Sequence, residues 1–153
     1  MTGNIRNVPL PLDPTDAQCL ARVLAEAFTG RNPGWSADDL IALSGQAGVC
    51  IHASVDGALI MRSVLDEAEI LTIGIRPSAR RQGRARALLT KALAELAAQG
   101  VHRIFLEVAD NNLAARAVYS VVGFRETGRR RSYYLDEDGT RLDAVLMNMS
   151  LDC

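Results

Sequence analysis

The chain has 153 residues, of which 48% are hydrophobic and 23% are charged, and its formal net charge is −1. These values are typical of one globular domain, so we expect a single domain over residues 1–153. No apolar run reaches the roughly 18 residues that a membrane-spanning helix needs, and the start of the chain lacks a secretory signal. We therefore expect a cytoplasmic protein with no membrane partner.

Cysteine and histidine are too few and too scattered to indicate a disulfide framework or a metal site. The cysteines Cys19, Cys50 and Cys153 form no C-x-x-C pair, and His52 and His102 lie far apart with no ligand pattern beside them. We expect no disulfide and no bound metal, and we assign neither histidine a function, whether it lies at the surface or in the core.

The first third of the chain predicts two helices. Apolar residues recur with a helical period over residues 14–28, and Ser36 with Asp39 forms a capping-box pattern that opens a short helix through Leu43. Residues 29–35 hold two glycines and a proline, which is typical of a loop.

Three strands are predicted next. Residues 49–55 and 58–65 are joined by Asp56-Gly57, a strong hairpin signal, and residues 68–75 are rich in β-branched side chains.

Helices and strands alternate in the second half of the chain. An apolar stripe predicts a helix over residues 84–99, which Gly100 ends. A strand over residues 103–108 and a helix over 112–122 follow, the latter with Leu113, Ala117, Val118 and Val121 on one side. A hairpin is predicted over residues 133–151. This order of elements predicts a mixed α/β sheet with helices on its faces.

The loop before the 84–99 helix carries the strongest functional signal. Five arginines fall within residues 76–86 with no acidic residue among them. A helix N-terminus offers unpaired N–H groups and a partial positive charge, which suit an anion. Gly83 would let the backbone approach a phosphate, and the small Ala85 would leave room beside it. Phosphate binding, a solvated basic surface and a nucleic-acid contact all remain open for this loop alone.

The loop and the second half of the chain resemble a known family. Arg80-x-x-Gly83-x-Ala85 matches the Q/R-x-x-G-x-G/A signature of the GCN5-related N-acetyltransferases. The segments that resemble its bacterial ribosomal-protein-alanine N-acetyltransferase branch in order and spacing are Leu106-Glu107-Val108, Asn112, Ala114, Ala117, Tyr119, Gly123-Phe124, Gly128 and Tyr133-Tyr134, with Trp35-Ser36 and Asp66-Glu67-Ala68 before them. The chain departs from this branch at Ala85, where glycine is usual, and at Asp110-Asn111, where Ser-Asn is more frequent.

The resemblance implies a fold and a coenzyme. The fold is a mostly antiparallel sheet of about seven strands flanked by about four helices. The coenzyme is acetyl-CoA, acting as co-substrate without a metal. The residues that would bind it are Ile73, Gly74, Ile75, Arg80, Arg81, Gln82, Gly83, Arg84, Ala85, Arg86 and Asn112. Asn112 would also cap its helix, and Gly74 would serve a close approach, a bulge or a purely structural need.

Acetyl transfer to an amine needs a base for the amine and a proton for the departing thiolate. Glu107 shares a strand face with Phe105, and it is either the base or a strand-end glutamate that reaches solvent or pairs with an arginine. Tyr119 lies on a mostly apolar helix face and is either a core residue or an acid. The resemblance implies the base role for Glu107, direct or through water, and the acid role for Tyr119.

Trp35, Tyr133 and Tyr134 are the candidate acceptor residues, with ordinary packing as their alternative. The resemblance implies that the acceptor is the N-terminal α-amine of a ribosomal protein, alanine above all, acetylated by direct transfer in a ternary complex. It implies no direct nucleic-acid partner, and a monomer or weak homodimer. The alternatives are acetylation of a small-molecule amine or a lysine side chain, and a non-catalytic acyl-CoA-binding module.

Overall fold

The computed structural model describes residues 4–28, 35–136 and 138–151. Within these ranges the chain forms seven strands, four α-helices and one short 3-10 turn. In chain order they are β1 (Arg6–Asn7), α1 (Pro14–Ala27), α2 (Ala37–Ser44), β2 (Val49–Ala53), β3 (Gly57–Val64), β4 (Glu67–Ile75), the 3-10 turn (Pro77–Ala79), α3 (Arg84–Ala98), β5 (Arg103–Ala109), α4 (Leu113–Val122), β6 (Arg125–Leu135) and β7 (Arg141–Ser150). No helix in the described part of the chain is long and apolar enough to cross a bilayer.

The strands form one sheet in the order β1-β2-β3-β4-β5-β7-β6. Only the β4–β5 pair is parallel, and the other five pairs are antiparallel. This confirms the predicted mixed, mostly antiparallel sheet. Helices cover both faces, because successive residues of β3 enter different buried clusters: Ala58 and Ile60 pack with α1 and α2, whereas Leu59 and Met61 pack with α3.

The helix ends follow from local sequence. Asp13 caps α1 by accepting a hydrogen bond from the Asp16 backbone N–H at 2.8 Å. The predicted capping box of α2 is present, with both the Ser36 and the Asp39 side chains bonded to backbone N–H groups. The predicted apolar stripe of α3 is buried, from Leu88 to Leu96. Of the predicted loop over residues 29–35, only Trp35 lies within the described residues.

The hairpin between β2 and β3 turns one residue earlier than predicted. The Ser54 backbone N–H bonds to the Gly57 carbonyl at 2.9 Å, so Val55 and Asp56 occupy the centre of the turn and Gly57 already belongs to β3. A Cβ at Gly57 would lie 2.5 Å from the carbonyl oxygen of Gly74. Glycine at this position therefore allows two strands to approach, and it does not supply the turn.

The apolar side predicted for α4 is wrong in three of its four positions. Leu113 is 69% exposed, Val121 is 66% exposed and Ala117 is also exposed, whereas Tyr119 is the buried residue of this helix. Val118 and Val122 pack partly against the core beside it. The short helix buries a narrow stripe centred on Tyr119, because only that side faces the sheet.

Strands β4 and β5 part halfway along their length. Their register runs from Glu67 opposite Arg103 to Ile70 opposite Leu106 and stops there. On its other side β4 carries a bulge, because Met61 pairs with Ile70 and Ile60 with Thr72. The second half of β4 therefore keeps its partner β3 but has an unpaired edge toward β5, and the candidate site lies along that edge.

Candidate active site

Two cavities meet where β4 and β5 part. One has a volume of about 700 Å³ and the other about 510 Å³. The residues that line both are Phe28, Ile73, Asn112, Ala115 and Tyr119. The larger is called the arginine-loop cavity, because residues 80–86 form one wall. The smaller is called the carboxylate cavity, because Glu107 and Asp136 line it.

Most of the predicted coenzyme residues line the arginine-loop cavity. They are Ile73, Gly74, Ile75, Arg80, Arg81, Gly83, Arg84, Ala85, Arg86 and Asn112. Gln82 is the exception: its side-chain amide donates to the Ser78 carbonyl at 3.3 Å. The helix residues Ala114 and Val118 also line this cavity and were not predicted to bind the coenzyme.

The α3 N-terminus has the geometry of an anion site. Gly83 is the N-cap residue with a φ of +73°, and Arg81 has a φ of +60°. The first helical bond runs from the Ala87 N–H to the Gly83 carbonyl, so the three preceding N–H groups of the helix have no partner within it. A Cβ at Gly83 would meet no atom within 4 Å, so the space in front of these donors is open.

Arg80 acts as an internal brace. Its Nη2 donates to the Ala27 carbonyl and its Nε donates to the Ile75 carbonyl, the latter at 3.2 Å. The guanidinium thereby joins the C-terminal end of α1, where a cation is favourable, to the end of β4. Arg80 thus shapes the wall of the cavity that it lines.

The other arginines of residues 76–86 divide into two groups. Two of them pair with carboxylates: Arg76 with Glu26 at 3.4 Å and Arg84 with Asp56 at 3.5 Å. Nε and Nη1 of Arg84 are nevertheless buried without a hydrogen-bond partner in the described structure. Arg81 and Arg86 are exposed and form no ion pair with another described residue. The guanidinium groups of Arg81 and Arg86 therefore lie near the N-terminus of α3 without a carboxylate partner among the described residues.

Gly74 serves a close approach, one of the roles that the sequence left open. A Cβ there would lie 2.8 Å from the Ala27 Cβ and 3.1 Å from the Phe28 ring. The bulge lies nearer the start of the strand, at Leu71. Glycine at this position lets the end of α1 pack on β4 and places Phe28 between the two cavities.

The carboxylate cavity is acidic. Glu107 and Asp136 line it, and no basic side chain among the described residues does so. Trp35 and Tyr134, two of the three candidate acceptor residues, also line it. Such a lining favours a cationic group, for example a protonated amine.

Glu107 is half-buried on β5, with its side chain 25% exposed. Its Oε1 forms an ion pair with Arg130, in which Arg130 Nε lies 2.9 Å away. One of the interpretations open from the sequence, pairing with an arginine, is therefore correct. The same carboxylate lines the cavity, so the ion pair does not remove it from the site.

Tyr119 is both a core residue and a site residue. It is 6% exposed, and its ring packs edge-on against Phe124 with a centroid distance of 5.9 Å. Burial raises the pKa of Tyr119 well above its usual range, and the neighbouring Tyr134 adds to this effect. The phenol therefore keeps its proton at neutral pH, as an acid must.

Asn112 caps α4, as predicted. Its Oδ1 accepts from the Ala115 backbone N–H at 3.3 Å. Because the cap uses only the oxygen, the amide N–H groups of Asn112 can serve a ligand in either cavity.

Tyr133 and Tyr134 point to different surroundings. Tyr134 is half-buried in the carboxylate cavity, and burial raises its pKa, with the charge of Glu107 contributing. Tyr133 is 54% exposed and lines neither cavity, and its ring faces the Arg130 guanidinium at 5.4 Å. The two rings pack edge-on, with centroids 5.2 Å apart. Tyr133 therefore touches the site only through its neighbours.

Phe28 and Asp136 are two of the site residues that the sequence analysis missed. Phe28 was assigned only to the helical period over residues 14–28, and Asp136 only to the predicted hairpin over residues 133–151. The available signal for Asp136 was a carboxylate that closely follows Tyr133-Tyr134 at the end of a strand. No local signal could have placed Phe28 between two cavities.

A second polar cluster lies between β2 and α3, away from both cavities. His52 Nε2 lies 3.0 Å from Glu95 Oε2, and Cys50 Sγ lies 3.5 Å from Glu95 Oε1. Local sequence patterns could not predict this cluster, because Glu95 follows Cys50 by 45 residues. The three ligand atoms lie within 4.8 Å of one another.

This cluster fits an internal hydrogen-bond network better than a metal site. His52 is fully buried, and burial lowers its pKa despite the opposing effect of Glu95. Its Nδ1 has no hydrogen-bond partner in the described structure, whereas a metal-ligating histidine normally anchors its second nitrogen. His52 is thus a core residue, and His102 is exposed.

The sequence profile of the Acetyltransferase (GNAT) family matches residues 23–124, which is more than half of the chain. The [ribosomal protein bS18]-alanine N-acetyltransferase of Escherichia coli (strain K12) is 36% identical over 121 residues, covering 76% of this chain and 81% of that protein. The N-alpha-acetyltransferase RimI of Mycobacterium tuberculosis is 34% identical over 143 residues, covering 88% of this chain and 89% of that protein.

Solved structures agree with these matches. The crystal structure of the ribosomal-protein-S18-alanine N-acetyltransferase from Escherichia coli has a TM-score of 0.84 at 31% identity, covering 98% of this chain and 96% of that chain. The yncA protein of Salmonella typhimurium, solved with its cofactor acetyl-CoA, has a TM-score of 0.78 at 19% identity, covering 99% of this chain and 95% of that one, and it shows the shared fold. The chain therefore belongs to the GNAT family and is an N-acetyltransferase.

Proposed function

We propose that this N-acetyltransferase transfers the acetyl group of acetyl-CoA to the N-terminal α-amine of a protein, with the N-terminal alanine of a ribosomal protein as the favoured acceptor. Transfer is direct, in a ternary complex. The observation that carries the proposal is the meeting of a cavity at a basic helix N-terminus with a cavity lined by carboxylates, at Tyr119 and Asn112.

The arginine-loop cavity fits the coenzyme. The free N–H groups at the start of α3 and the exposed Arg81 and Arg86 suit a diphosphate. The unpaired edge of β4 beyond Ile70 offers alternating N–H and C=O groups to the amide-containing pantetheine arm. A backbone N–H of this edge would also polarise the thioester carbonyl.

The chemistry requires one proton to leave the amine and one to reach the sulfur. Glu107 accepts the proton from the acceptor nitrogen, directly or through a water, as that nitrogen forms a bond to the acetyl carbonyl carbon. The carbon–sulfur bond breaks and the electron pair stays on the sulfur, which takes the phenolic proton of Tyr119. Direct transfer needs no covalent enzyme intermediate, and no cysteine or serine within residues 4–28, 35–136 and 138–151 lines both cavities.

Deprotonation favours an α-amine over a lysine side chain. An α-amine has a pKa of about 8 and a lysine amine about 10.4, so forming the neutral lysine at pH 7 costs roughly 3 kcal/mol more. The proton transfer that Glu107 must assist is therefore less costly for an α-amine than for a lysine. The bS18-alanine name of the relatives that are 36% identical supports the same acceptor class.

The test is Glu107→Gln, assayed with a peptide carrying the N-terminus of ribosomal protein bS18. We expect turnover to fall by about 10²–10⁴-fold, the range of general-base catalysis, with coenzyme A binding unchanged by calorimetry. Glu69→Gln is the matched control, because Glu69 is also a strand glutamate paired with an arginine, Arg62 at 3.6 Å, but lies outside both cavities.

The same assay also measures which acceptor the enzyme prefers. An N-terminally blocked peptide with one lysine, and spermidine, are offered beside the bS18 peptide. Preference for either of them would replace the proposed acceptor, and unchanged turnover in the Glu107→Gln variant would remove the base assignment. Coenzyme binding without acetylation of any acceptor would instead favour a binding module.

A further inference from the structure

The ion pair between Glu107 and Arg130 crosses an intervening strand. Glu107 on β5 is opposite Leu146 of β7, and Arg130 on β6 is opposite Ala144 of β7. Leu146 and Ala144 are two residues apart and so lie on one face of the sheet. Arg130 therefore reaches diagonally over β7 to place Nε 2.9 Å from Glu107 Oε1.

Arg130 is held from two sides although its side chain is 55% exposed. The Tyr133 ring lies 5.4 Å from its guanidinium carbon, and the Glu107 carboxylate lies at its Nε. Its two neighbours along β6 behave differently. Arg129 pairs with Asp110 at 3.0 Å, and Arg131 is exposed and forms no ion pair with another described residue.

The two carboxylate oxygens of Glu107 are not equivalent. Oε1 lies 2.9 Å from Arg130 Nε in an ion pair, whereas Oε2 receives no hydrogen bond from another described residue. A second carboxylate, that of Asp136, lines the same cavity and adds a second negative charge to it. Arg130 supplies the compensating positive charge from outside the cavity, without occupying the space of the acceptor.

We propose that Arg130 is a positioning residue for acetyl transfer, which fixes the Glu107 carboxylate by Oε1 and leaves Oε2 to take the proton of the acceptor amine. The inference rests on the proposed function, because it requires Glu107 to be the base. Arg130 touches neither the coenzyme nor the acceptor in this assignment, and Tyr133 contributes by limiting the motion of the guanidinium.

A purely structural ion pair would behave differently. Exposed ion pairs contribute little to stability, so a structural role predicts a small loss of stability and no change in the pH profile. A positioning role predicts a loss of turnover at unchanged coenzyme affinity. It also predicts that the acidic limb of the pH profile of kcat/KM moves to higher pH.

The test compares Arg130→Gln, Arg130→Lys and Arg131→Gln. For Arg130→Gln we expect kcat to fall by about tenfold or more, within the range that general-base catalysis supplies, and the acidic limb to move up by about half a pH unit. Arg130→Lys keeps the charge but not the planar fork, so it should restore the acidic limb and only part of kcat. Arg131→Gln should match the wild type in both.

A double-mutant cycle separates this inference from the proposed function. If Arg130 acts through Glu107, then Glu107→Gln combined with Arg130→Gln should be no slower than Glu107→Gln alone. Equal fractional losses in both backgrounds would overturn the inference, as would wild-type kcat and pH profile for Arg130→Gln. Full turnover of the Glu107→Gln single variant would instead overturn the base assignment itself. Should Arg130→Gln fail to fold, the Arg130→Lys profile decides by the same criteria.

Discussion

In the proposed mechanism, Tyr119 serves both the core and the chemistry. Its ring packs on Phe124, while its position on α4 brings it to both cavities. Tyr119→Phe keeps the ring and removes the proton donor. We expect kcat to fall by about 10²-fold, as for loss of a general acid, with coenzyme A affinity unchanged by calorimetry. A variant with full turnover would show that the thiolate needs no protein acid.

Tyr119→Phe should also change how the stability of the protein depends on pH. The pKa of Tyr119 in the folded protein is raised above its ordinary value of 10.0, so the unfolded chain ionises first. This contribution to stability is fully present below about pH 10 and is lost as pH rises above it. Urea unfolding between pH 8 and 11 should therefore show a steeper alkaline loss for the wild type than for Tyr119→Phe. Parallel curves would contradict the burial of the phenol.

Candidate site residues could be located from the sequence where the pattern is local. Glu107 and Tyr119 were identified because a strand glutamate and a helix tyrosine follow the arginine loop with the family's spacing. The contact among Cys50, His52 and Glu95 could not be predicted from the sequence, because it depends on how α3 crosses the sheet. The pairing of Glu107 with an arginine remained one alternative among several, since the register of β6 on β7 selects Arg130 from three consecutive arginines.

At the scale of elements, α3 provides a matched pair of glycines. Gly83 precedes the helix with a φ of +73° and Gly100 follows it with a φ of +84°, and a Cβ at either meets no atom within 4 Å. Alanine at either position should therefore cost a similar 1–2 kcal/mol, because only the left-handed backbone opposes it. The steric surroundings do not distinguish the two substitutions.

Only Gly83 lines the arginine-loop cavity, so binding should distinguish them. We expect Gly83→Ala to weaken coenzyme A binding by at least tenfold, because a change of backbone conformation turns the N–H groups away from the phosphates. Gly100→Ala should bind normally. Calorimetry and urea unfolding on both variants measure the two quantities separately. Equal binding by both variants would remove the helix N-terminus from the coenzyme site.

Elements were predictable where their signals are local, and less so where they depend on packing. Caps and periodicity located α1, α2 and α3 to within about two residues. Periodicity assigns residues to one face of a helix, but it does not show how wide a part of that face the sheet buries. The exposed Leu113 and Val121 illustrate this limit. The parting of β4 and β5 had no local signature either, because the bulge at Leu71 exists only relative to β3.

Over the whole molecule, the arginine-loop cavity joins two parts of the sheet. Strands β1 to β4 form one antiparallel run, and β5, β7 and β6 form another. Four residue pairs between β4 and β5 link the two runs. The arginine-loop cavity takes its walls from α1, β4 and α3 on one side and from α4 on the other. A ligand in this cavity therefore bridges the opening that the sheet leaves.

Such a ligand should stabilise the whole fold. Binding to the folded state alone adds about 2.7 kcal/mol at a concentration of 100 Kd. For a chain of this size each kcal/mol raises Tm by roughly 2–4 °C, so coenzyme A at that concentration should raise Tm by about 5–10 °C. Pantetheine, which lacks the diphosphate, should give a much smaller shift at the same concentration. Hydrogen exchange should slow at the unpaired edge of β4 and in α4, on both sides of the opening. An equal shift with pantetheine would mean that the helix N-terminus adds little, and no shift with coenzyme A would contradict binding in this cavity.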